Sequence, residues 1–463
     1  MALLSKSKLW RVTIVLSGFA LLIAIFYSEE NWRGKRAWEN CKRELEAKGE
    51  IVDWDKLIPP PVPDDQNFFA APKIQEWFVR PDWHHTSFTN ELTERLKNEK
   101  TGWFGENSKI KTEADAKDYL AWSDQFQSDF NLIREALKRP YARMDGDYHD
   151  SFTKPDLDLS TIRTVAQTLA QQAHCHLLLN QPEDALDELT LVHDMCRLMQ
   201  SSSSNKPVTL VSAMINAAVI GLYVDIIAEG LQSHICQEPQ LFALKEQLKK
   251  IELLPTFAMS FDFESADTCW ILKSFFRKYP NDPSLWQDLK HYRFPWMKWV
   301  PHGWVYQNMV TTIRMNDKQC EGFDFESGII LPNQMESSQV EIRNILKHSS
   351  PYNFLVIMMD ADPHFLKAWQ TTAHNQTLVN EVQIACALER YRLAHGEYPE
   401  TLDALAPQFI ERIPHDIIGG QPLHYSRTNG GKFLLYSVGW NEKDDGGSSG
   451  TLADVKNGDW VWK

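Results

Sequence analysis

Two pairs of closely spaced histidines are the first residues in the sequence whose type could support metal chemistry. His84 and His85 are adjacent, and one residue separates His174 from His176. Imidazole nitrogens are common ligands of zinc and other transition metals. Side chains two positions apart on a helix point in different directions, however, so His174 and His176 would not face one ion. We therefore interpret both pairs as ordinary histidines rather than as ligand sets.

A denser polar cluster lies in the segment MMDADPHF, which contains Asp360, Asp362 and His364. An aspartate before a proline at the start of a helix is ordinary capping chemistry, and we favour that explanation over a site. The chain has no phosphate-binding loop, H-E-x-x-H or G-x-G-x-x-G motif. Two S-x-x-K matches begin at Ser5 and Ser203, in a charged tail and a serine run, and both are at chance level. The sequence thus predicts no catalytic and no cofactor-binding residue.

Composition places the chain among globular proteins. It has 463 residues, a formal net charge of −14, 43% hydrophobic and 24% charged residues. This length predicts two or three packed units, and the composition excludes a mainly disordered, collagen-like or disulfide-scaffold protein. The acidic balance argues against a nucleic-acid partner, because such binding depends on clustered lysine and arginine. A mean hydropathy of −0.40 excludes a polytopic membrane protein but allows a single anchor.

An uncharged N-terminal run, Val12 to Ser28, predicts that anchor. About 17 helical residues span roughly 26 Å, close to the bilayer core. Lys6, Lys8 and Arg11 precede the run, and no small-x-small cleavage site follows it, so we expect an uncleaved anchor in residues 1–28. This predicts a single-pass protein whose bulk is extracytoplasmic, in the periplasm. Basic residues also follow the run, which leaves the opposite orientation open.

The cysteines bear on the same question of compartment. An odd number of cysteines without a C-x-x-C pair predicts neither a disulfide framework nor a structural zinc site, and free thiols fit an oxidising compartment poorly. The seven are Cys41, Cys175, Cys196, Cys236, Cys269, Cys320 and Cys386.

The middle of the chain divides by composition. Residues 29–112 predict a juxtamembrane helix, a proline-rich stretch that is either a spacer or a surface loop, and a connecting region. Residues 113–255 have apolar residues at helical spacing and predict an α-helical domain, either a bundle or a short solenoid. Its uncharged stretch from Pro207 to Val224 is more typical of a buried helix than of a second membrane span. Residues 256–359 are rich in aromatic side chains and predict a packing region or an exposed interaction patch.

The C-terminal residues 360–463 have the clearest pattern. A long helix is predicted to end near Gly396, and two alternating runs are joined by Asn429, Gly430 and Gly431, a strong hairpin signal. A polar loop, NEKDDGGSSG, then leads to a short last strand. The predicted fold class is therefore α+β and mainly α: a transmembrane helix, an α-helical body and a long helix packed on a small antiparallel β-sheet.

This C-terminal region resembles the major pseudopilin of type II secretion, general secretion pathway protein G. The segments ALERYRLAHGEYPETLDAL, IPHDIIGGQPLHY and LLYSVGWNEKDDGG carry the resemblance. The matching positions are Leu388, Glu389, Tyr391, Gly396, Tyr398, Pro399, Pro414, Asp416, Gly419, Pro422, Tyr425, Tyr436, Ser437, Gly439, Gly446 and Gly447. The likeness does not extend to the first 360 residues, and Ile23 stands where the prepilin processing signature has its glutamate. Processing by a prepilin peptidase and fibre assembly are therefore not expected.

The resemblance implies a calcium site in the loop before the last strand. It places the ligands at Asn441, Asp444, Asp445 and Asp459, and oxygen-rich loops of this kind suit Ca²⁺. The loop departs from the family pattern, since Asn441 replaces an aspartate and Glu442 replaces a glycine. A solvated acidic turn is the alternative, and no other cofactor is expected.

Two functions are compatible with these patterns. The first is a membrane-anchored binding or structural protein that acts through unknown protein partners, with envelope or secretion components as candidates. The second is an envelope-associated hydrolase with its active site in the helical or aromatic-rich region. A perturbed carboxylate or histidine cluster in a deep pocket of that region would favour the hydrolase.

Overall fold

A computed structural model describes residues 6–80, 90–97, 110–149, 154–200, 209–278, 299–358, 365–428, 431–449 and 455–462, and the statements below concern these residues. The chain is mostly helical with small antiparallel sheets, which confirms the predicted mixture at that level. The helices are α1 (Lys6–Lys48), α2 (Trp54–Leu57), α3 (Ile74–Phe78), α4 (Glu91–Leu96), α5 (Glu113–Ser123), α6 (Gln127–Leu137), α7 (Leu159–Leu178), α8 (Pro182–Cys196), α9 (Leu210–Gln232), α10 (Glu238–Leu248), α11 (Leu253–Lys278), α12 (His302–Cys320), α13 (Pro332–Lys347), α14 (Phe354–Met358) and α15 (Phe365–His395).

The chain forms two compact units, each assembled from separate segments. The anchor unit comprises Met1–Lys56, Glu264–Lys318 and Gln339–Pro363. The body unit comprises Leu57–Phe263, Gln319–Ser338 and His364–Lys463.

Helix α1 has two parts with opposite surroundings. In its first part, the apolar window that could cross a membrane is 0% buried. In its second part, Trp38, Cys41 and Leu45 are buried in a core that also contains Cys269 of α11 and Met309 of α12. The helix therefore passes without interruption from an exposed apolar segment, a candidate membrane anchor, into the packed interior of the anchor unit.

A close approach of two backbones fixes α1 against α12. A Cβ atom added at Gly34 would collide with the backbone of Gly303, and one added at Gly303 would collide with the carbonyl group of Glu30. Only glycine allows helices to come this near. Beside this contact, the amide of Gly303 donates to Oδ1 of Asn31 at 2.9 Å.

The body unit is built around α7, α8, α9, α10 and α15, whose apolar faces share one large core. Helices α7 and α8 form the predicted helical hairpin, with Asn180 in the left-handed region at φ +58° and Pro182 at the start of α8. The uncharged stretch predicted to be a buried helix becomes α9. More than half of its apolar window, 56%, is buried in the unit, although a helix of this length and composition could also cross a membrane.

Three small antiparallel sheets are formed by the described residues. Strands β1 (Val79–Arg80) and β2 (Asp156–Leu157) form one pair, and β3 (Phe323–Asp324) and β4 (Ile329–Ile330) form another. The third sheet has the order β5 (His424–Thr428), β6 (Lys432–Ser437) and β7 (Trp460–Val461). It packs on α15 through Leu423 and Leu435, which join Ile384 and Leu388 in one apolar cluster. Asn429 and Gly430 of the predicted turn lie outside the described residues.

Two further stretches with a distinctive composition are the proline-rich and the aromatic-rich ones, and the structure describes part of the second. The proline-rich stretch belongs to the body unit, where the Pro59 carbonyl accepts a hydrogen bond from Nε of Arg143 at 3.2 Å. In the aromatic-rich region, Trp270 stacks on Trp54 with ring centroids 4.4 Å apart. Trp286 and Trp296 lie outside the described residues.

Candidate functional site

A buried carboxylate with several hydrogen-bond partners, Glu389, lies near the end of α15 in the body unit. Its side chain is buried, and its carboxylate accepts hydrogen bonds from three residues. Arg392 donates from Nη2 at 2.5 Å and from Nε at 2.9 Å, and the Tyr398 hydroxyl donates at 2.9 Å. Nδ1 of His234 lies 3.0 Å from Oε1. Two cationic or protonatable groups and a phenol therefore surround one carboxylate.

Local sequence accounts for most of this arrangement. Arg392 lies one helical turn after Glu389, which places the two side chains on the same face of α15. The helix ends at His395, and Gly396 at φ +86° turns the chain back so that Tyr398 reaches the same carboxylate. The remaining partner, His234, comes from a distant part of the sequence.

His234 has an unusual backbone conformation. It follows the end of α9 and adopts φ +53°, in the left-handed region that non-glycine residues seldom occupy. Its amide donates to the carbonyl of Leu231 at 3.1 Å, so the residue closes the end of the helix, and its ring is directed to Glu389. Strained residues of this kind persist where the surrounding structure determines them, often at binding sites.

A cavity of about 370 Å³ lies beside this cluster, within the body unit. Glu389 forms part of its wall. The other polar and aromatic lining residues are Gln232, His234, Tyr398, Lys432, Phe433 and Trp462. The rings of Tyr398 and Phe433 meet edge to face with centroids 5.0 Å apart, which gives the cavity a rigid aromatic side. Its size and mixed lining are typical of a site for a small ligand or a side chain of a partner.

The electrostatics of the cluster favour binding over proton transfer. Burial acts to raise the pKa of Glu389, but the hydrogen bonds from Arg392, His234 and Tyr398 outweigh it and hold the pKa below its usual value. Burial and the neighbouring carboxylate raise the pKa of Tyr398. Glu389 is therefore an ionised group whose oxygens already accept several hydrogen bonds, a state that suits an anchor better than a general acid or base.

The predicted calcium ligands lie together in the loop between β6 and β7, but they mostly bond to the loop itself. Asp459 is buried and accepts hydrogen bonds from the amide of Asp445 at 3.1 and 3.2 Å and from that of Gly447 at 2.7 Å. The amide of Gly446 and the Tyr436 hydroxyl donate to Asp444, and these bonds hold the pKa of Asp444 below its usual value. The side-chain amide of Asn441 donates from Nδ2 to the Asp445 carboxylate at 3.0 Å.

These contacts allow a test of how well the residues fit a calcium ion. Ca²⁺ requires six to eight oxygens around one point. In the part of the chain that the structure describes, no group of three or more His, Cys, Asp or Glu side chains could hold a metal ion. Among the described residues of the loop, the carboxylates of Asp444 and Asp459 accept hydrogen bonds from backbone N–H groups of the loop itself.

The two histidines of the pair His174 and His176 contact different residues. His174 lies 2.8 Å from Oε2 of Glu229, whereas His176 lies 3.0 Å from Oε1 of Gln181. His84 and His85, and the cluster of Asp360, Asp362 and His364, lie outside the described residues.

The residues of the Glu389 cluster were only partly visible in the sequence. Glu389 and Tyr398 belong to the helix-end motif, but that motif says nothing of a cavity beside them. His234 is 155 positions from Glu389, and no local pattern marks it. The sequence signal that could have drawn attention to it is a histidine directly after an apolar helix, where glycine is usual.

Comparison with protein-family models, with curated proteins and with solved structures gave no match.

Proposed function

We propose that this chain is a membrane-anchored binding protein, and that the cavity beside Glu389 is where it binds an acidic group of a protein partner. Helix α1 would anchor it in the membrane, with the body unit outside the cytoplasm. The observation that carries the proposal is a cavity wall that contains the hydrogen-bonded Glu389 carboxylate, next to polar donors that have no partner among the described residues.

The donors indicate the chemistry of the ligand. Among the described residues, the side chains of Lys432 and Gln232 and the indole N–H of Trp462 have no hydrogen-bond or ion-pair partner. The negative charge of Glu389 is offset by Arg392. The cavity therefore presents a cation and two neutral donors without a competing free carboxylate, which suits a carboxylate ligand flanked by aromatic rings.

The resemblance to the type II secretion pseudopilin G supports a partner of the envelope or secretion machinery. The α15 helix and the β5–β6–β7 sheet belong to the region for which the sequence resemblance was stated, and the cavity is lined by residues of both. The hydrolase alternative gains less support. The carboxylate at this cavity has a lowered pKa and saturated oxygens, whereas a general acid or base needs a pKa near the working pH.

Photocrosslinking in intact cells tests the proposal. A photoreactive residue replaces Gln232, which is exposed at the cavity, and a matched control replaces Leu132, which is exposed on α6 of the same unit. We expect a defined protein to be captured from position 232 and not from position 132. We also expect Lys432→Glu to abolish the capture, because the reversed charge repels an acidic group.

The outcomes separate the parts of the proposal. Secretion or pilus components among the captured proteins would support the family resemblance as well as the site. An unrelated partner would support the site alone. Equal capture from both positions, or capture unaffected by Lys432→Glu, would contradict the proposed site.

Calcium binding by the loop of Asn441, Asp444, Asp445 and Asp459 stays a prediction of the resemblance. The Asp459 carboxylate already accepts hydrogen bonds from backbone N–H groups, so the ion would have to share its oxygens with these hydrogen bonds. If it does, millimolar Ca²⁺ should raise the melting temperature of the full-length protein in detergent, because a ligand that binds only the folded state stabilises it. The double variant Asp444→Ala, Asp445→Ala should lose this shift, and the same concentration of Mg²⁺ is the control. An unchanged melting temperature of the wild type would remove the calcium site.

A further inference from the structure

We infer that the anchor unit rests directly on the membrane surface, with the exposed aromatic side chains Trp32 and Trp299 inserted among the lipid headgroups. The inference depends on α1 being the anchor proposed above. It goes beyond that proposal, because it assigns a lipid-binding surface to the folded part of the protein.

The first step is that no linker separates the predicted span from the folded unit. The span Val12–Ser28 and the buried residues Trp38 and Leu45 belong to the same continuous helix, α1. At about 1.5 Å per residue, Trp32 lies only about 6 Å along the helix beyond Ser28. The headgroup region extends roughly this far on each side of the hydrocarbon core. Trp32, with 60% of its surface exposed, therefore lies at the height of the lipid headgroups.

The second step places α12 and the residues before it at the same height. The Tyr27 hydroxyl, in the last turn of the span, donates to the carbonyl of Trp299. One residue earlier, the ring of Phe26 packs edge to face on Trp304 with centroids 6.2 Å apart. Trp299 and Trp304 are thus held beside the end of the span and not at a part of the unit farther from the membrane.

A buried carboxylate makes this junction rigid. Glu30 accepts a hydrogen bond from the indole of Trp304 at 2.8 Å and from the Tyr352 hydroxyl at 3.2 Å. Arg33, one turn later on α1, donates to it at 3.1 Å. Side chains of α1, of α12 and of the segment that contains Tyr352 therefore meet at the turn of α1 that follows the span. These contacts hold the anchor unit in a fixed orientation relative to the span.

The third step is the chemistry of the exposed surface. Trp299 is 68% exposed although it is a large aromatic residue, and tryptophan prefers the interface between hydrocarbon and water. The Arg36 guanidinium lies 5.3 Å from the ring of Trp32, and Lys35 is exposed beside it. Aromatic rings with basic neighbours suit a bilayer that contains anionic lipids. The occupant of this surface is the leaflet into which the span already inserts.

Depth measurements on the full-length protein test the inference. Single spin labels are placed by Leu21→Cys, Trp32→Cys, Glu46→Cys and Trp299→Cys in nanodiscs of phosphatidylethanolamine and phosphatidylglycerol. Six native cysteines are buried and Cys320 is half-buried, so the wild type treated with the label gives the background. Collisions with oxygen, which concentrates in lipid, are compared with collisions with a water-soluble nickel chelate.

Positions 32 and 299 should show a loss of nickel collisions relative to position 46, which lies about 27 Å along α1 beyond Ser28. Nickel access at 32 and 299 equal to that at 46, with position 21 in lipid, would overturn the inference while the anchor stands. Nickel access at position 21 would instead overturn the anchor itself. Because Trp32 is on an exposed helix face, its replacement is the safer variant if Trp299→Cys fails to fold.

Discussion

Replacing Glu389 with alanine is expected to lower the free energy of unfolding of the body unit by about 3 kcal/mol. The carboxylate is buried, and its removal leaves the Arg392 guanidinium, the Tyr398 hydroxyl and the His234 ring without their acceptor. Breaking a buried ion pair from one side is more costly than never forming it. We place the effect at the low end of the usual range because His234 remains half exposed to water. Urea unfolding followed by tryptophan fluorescence measures it.

The pH dependence gives a second readout of the same group. Because the folded-state pKa of Glu389 is lowered from its ordinary value of 4.5, its contribution is fully present above that value. It is lost as the pH falls through the folded-state pKa, when the carboxylate becomes protonated. The wild type should therefore lose stability relative to Glu389→Ala only below about pH 4.5.

Two control variants separate charge from hydrogen bonding. Glu389→Gln keeps one acceptor oxygen and should have a smaller effect than alanine, and Tyr398→Phe removes a single hydrogen bond. A stability of Glu389→Ala within error of the wild type at pH 7 would show that the carboxylate does not hold the cavity wall together. The same result would weaken the proposed binding site, since the wall would then lack its rigid support.

The fold was predictable wherever periodicity and turn chemistry are local. The α15 helix and the β5–β6 pairing follow from apolar spacing, from Gly396 and from alternating runs around the hairpin signal. The α7–α8 hairpin follows in the same way from helical spacing interrupted at Asn180. In each of these places the residues that determine the structure are within a few positions of each other, so a single sequence contains the information.

The assembly of the units and the cavity could not be predicted in this way. The anchor unit combines α1 with residues more than two hundred positions later, and its closest contact depends on Gly34 meeting Gly303. Neither glycine stands in a recognisable motif. Similarly, His234 meets Glu389 only because α9 and α15 pack side by side in the folded unit. Long-range pairs of this kind are determined by tertiary packing, which leaves no local pattern in the sequence.

Glu381, two turns before Glu389 on α15, is the opposite kind of buried carboxylate. It is 0% exposed, and neither of its oxygens has a hydrogen-bond partner among the described residues. Thr377, one turn earlier, also has a buried hydroxyl without a partner. Burial raises the pKa of Glu381 well above its usual value, and the buried carboxylate of Asp416 raises it further. Asp416 itself is held by the amides of Ile418 and Val438 and by the Ser437 hydroxyl.

The pKa values of the two glutamates shift in opposite directions, so the two residues make the free energy of unfolding depend on pH with opposite signs. Glu389 has a lowered pKa and stabilises the fold when it is ionised. Glu381 has a raised pKa, so the folded state keeps a proton that the unfolded chain has already released at neutral pH. The free energy of unfolding should therefore fall as the pH rises from the ordinary value of 4.5 through the folded-state pKa of Glu381.

Glu381→Met is accordingly expected to stabilise the protein at pH 7.5, by about 1–4 kcal/mol, because methionine fills a similar volume without a buried polar group. The gain should shrink as the pH falls and be smallest below pH 4.5, where the carboxyl group is protonated in the unfolded chain as well as in the folded state. Thermal unfolding of the full-length protein at several pH values measures both effects, with Glu397→Gln as the control, because Glu397 is exposed on the surface of the same unit. Glu381→Gln should give a smaller gain, since the amide remains buried without partners. If Glu381→Met were less stable than the wild type at pH 7.5 and its stability relative to the wild type did not change between pH 4.5 and 7.5, a protonated carboxyl group without a partner would be contradicted at this position.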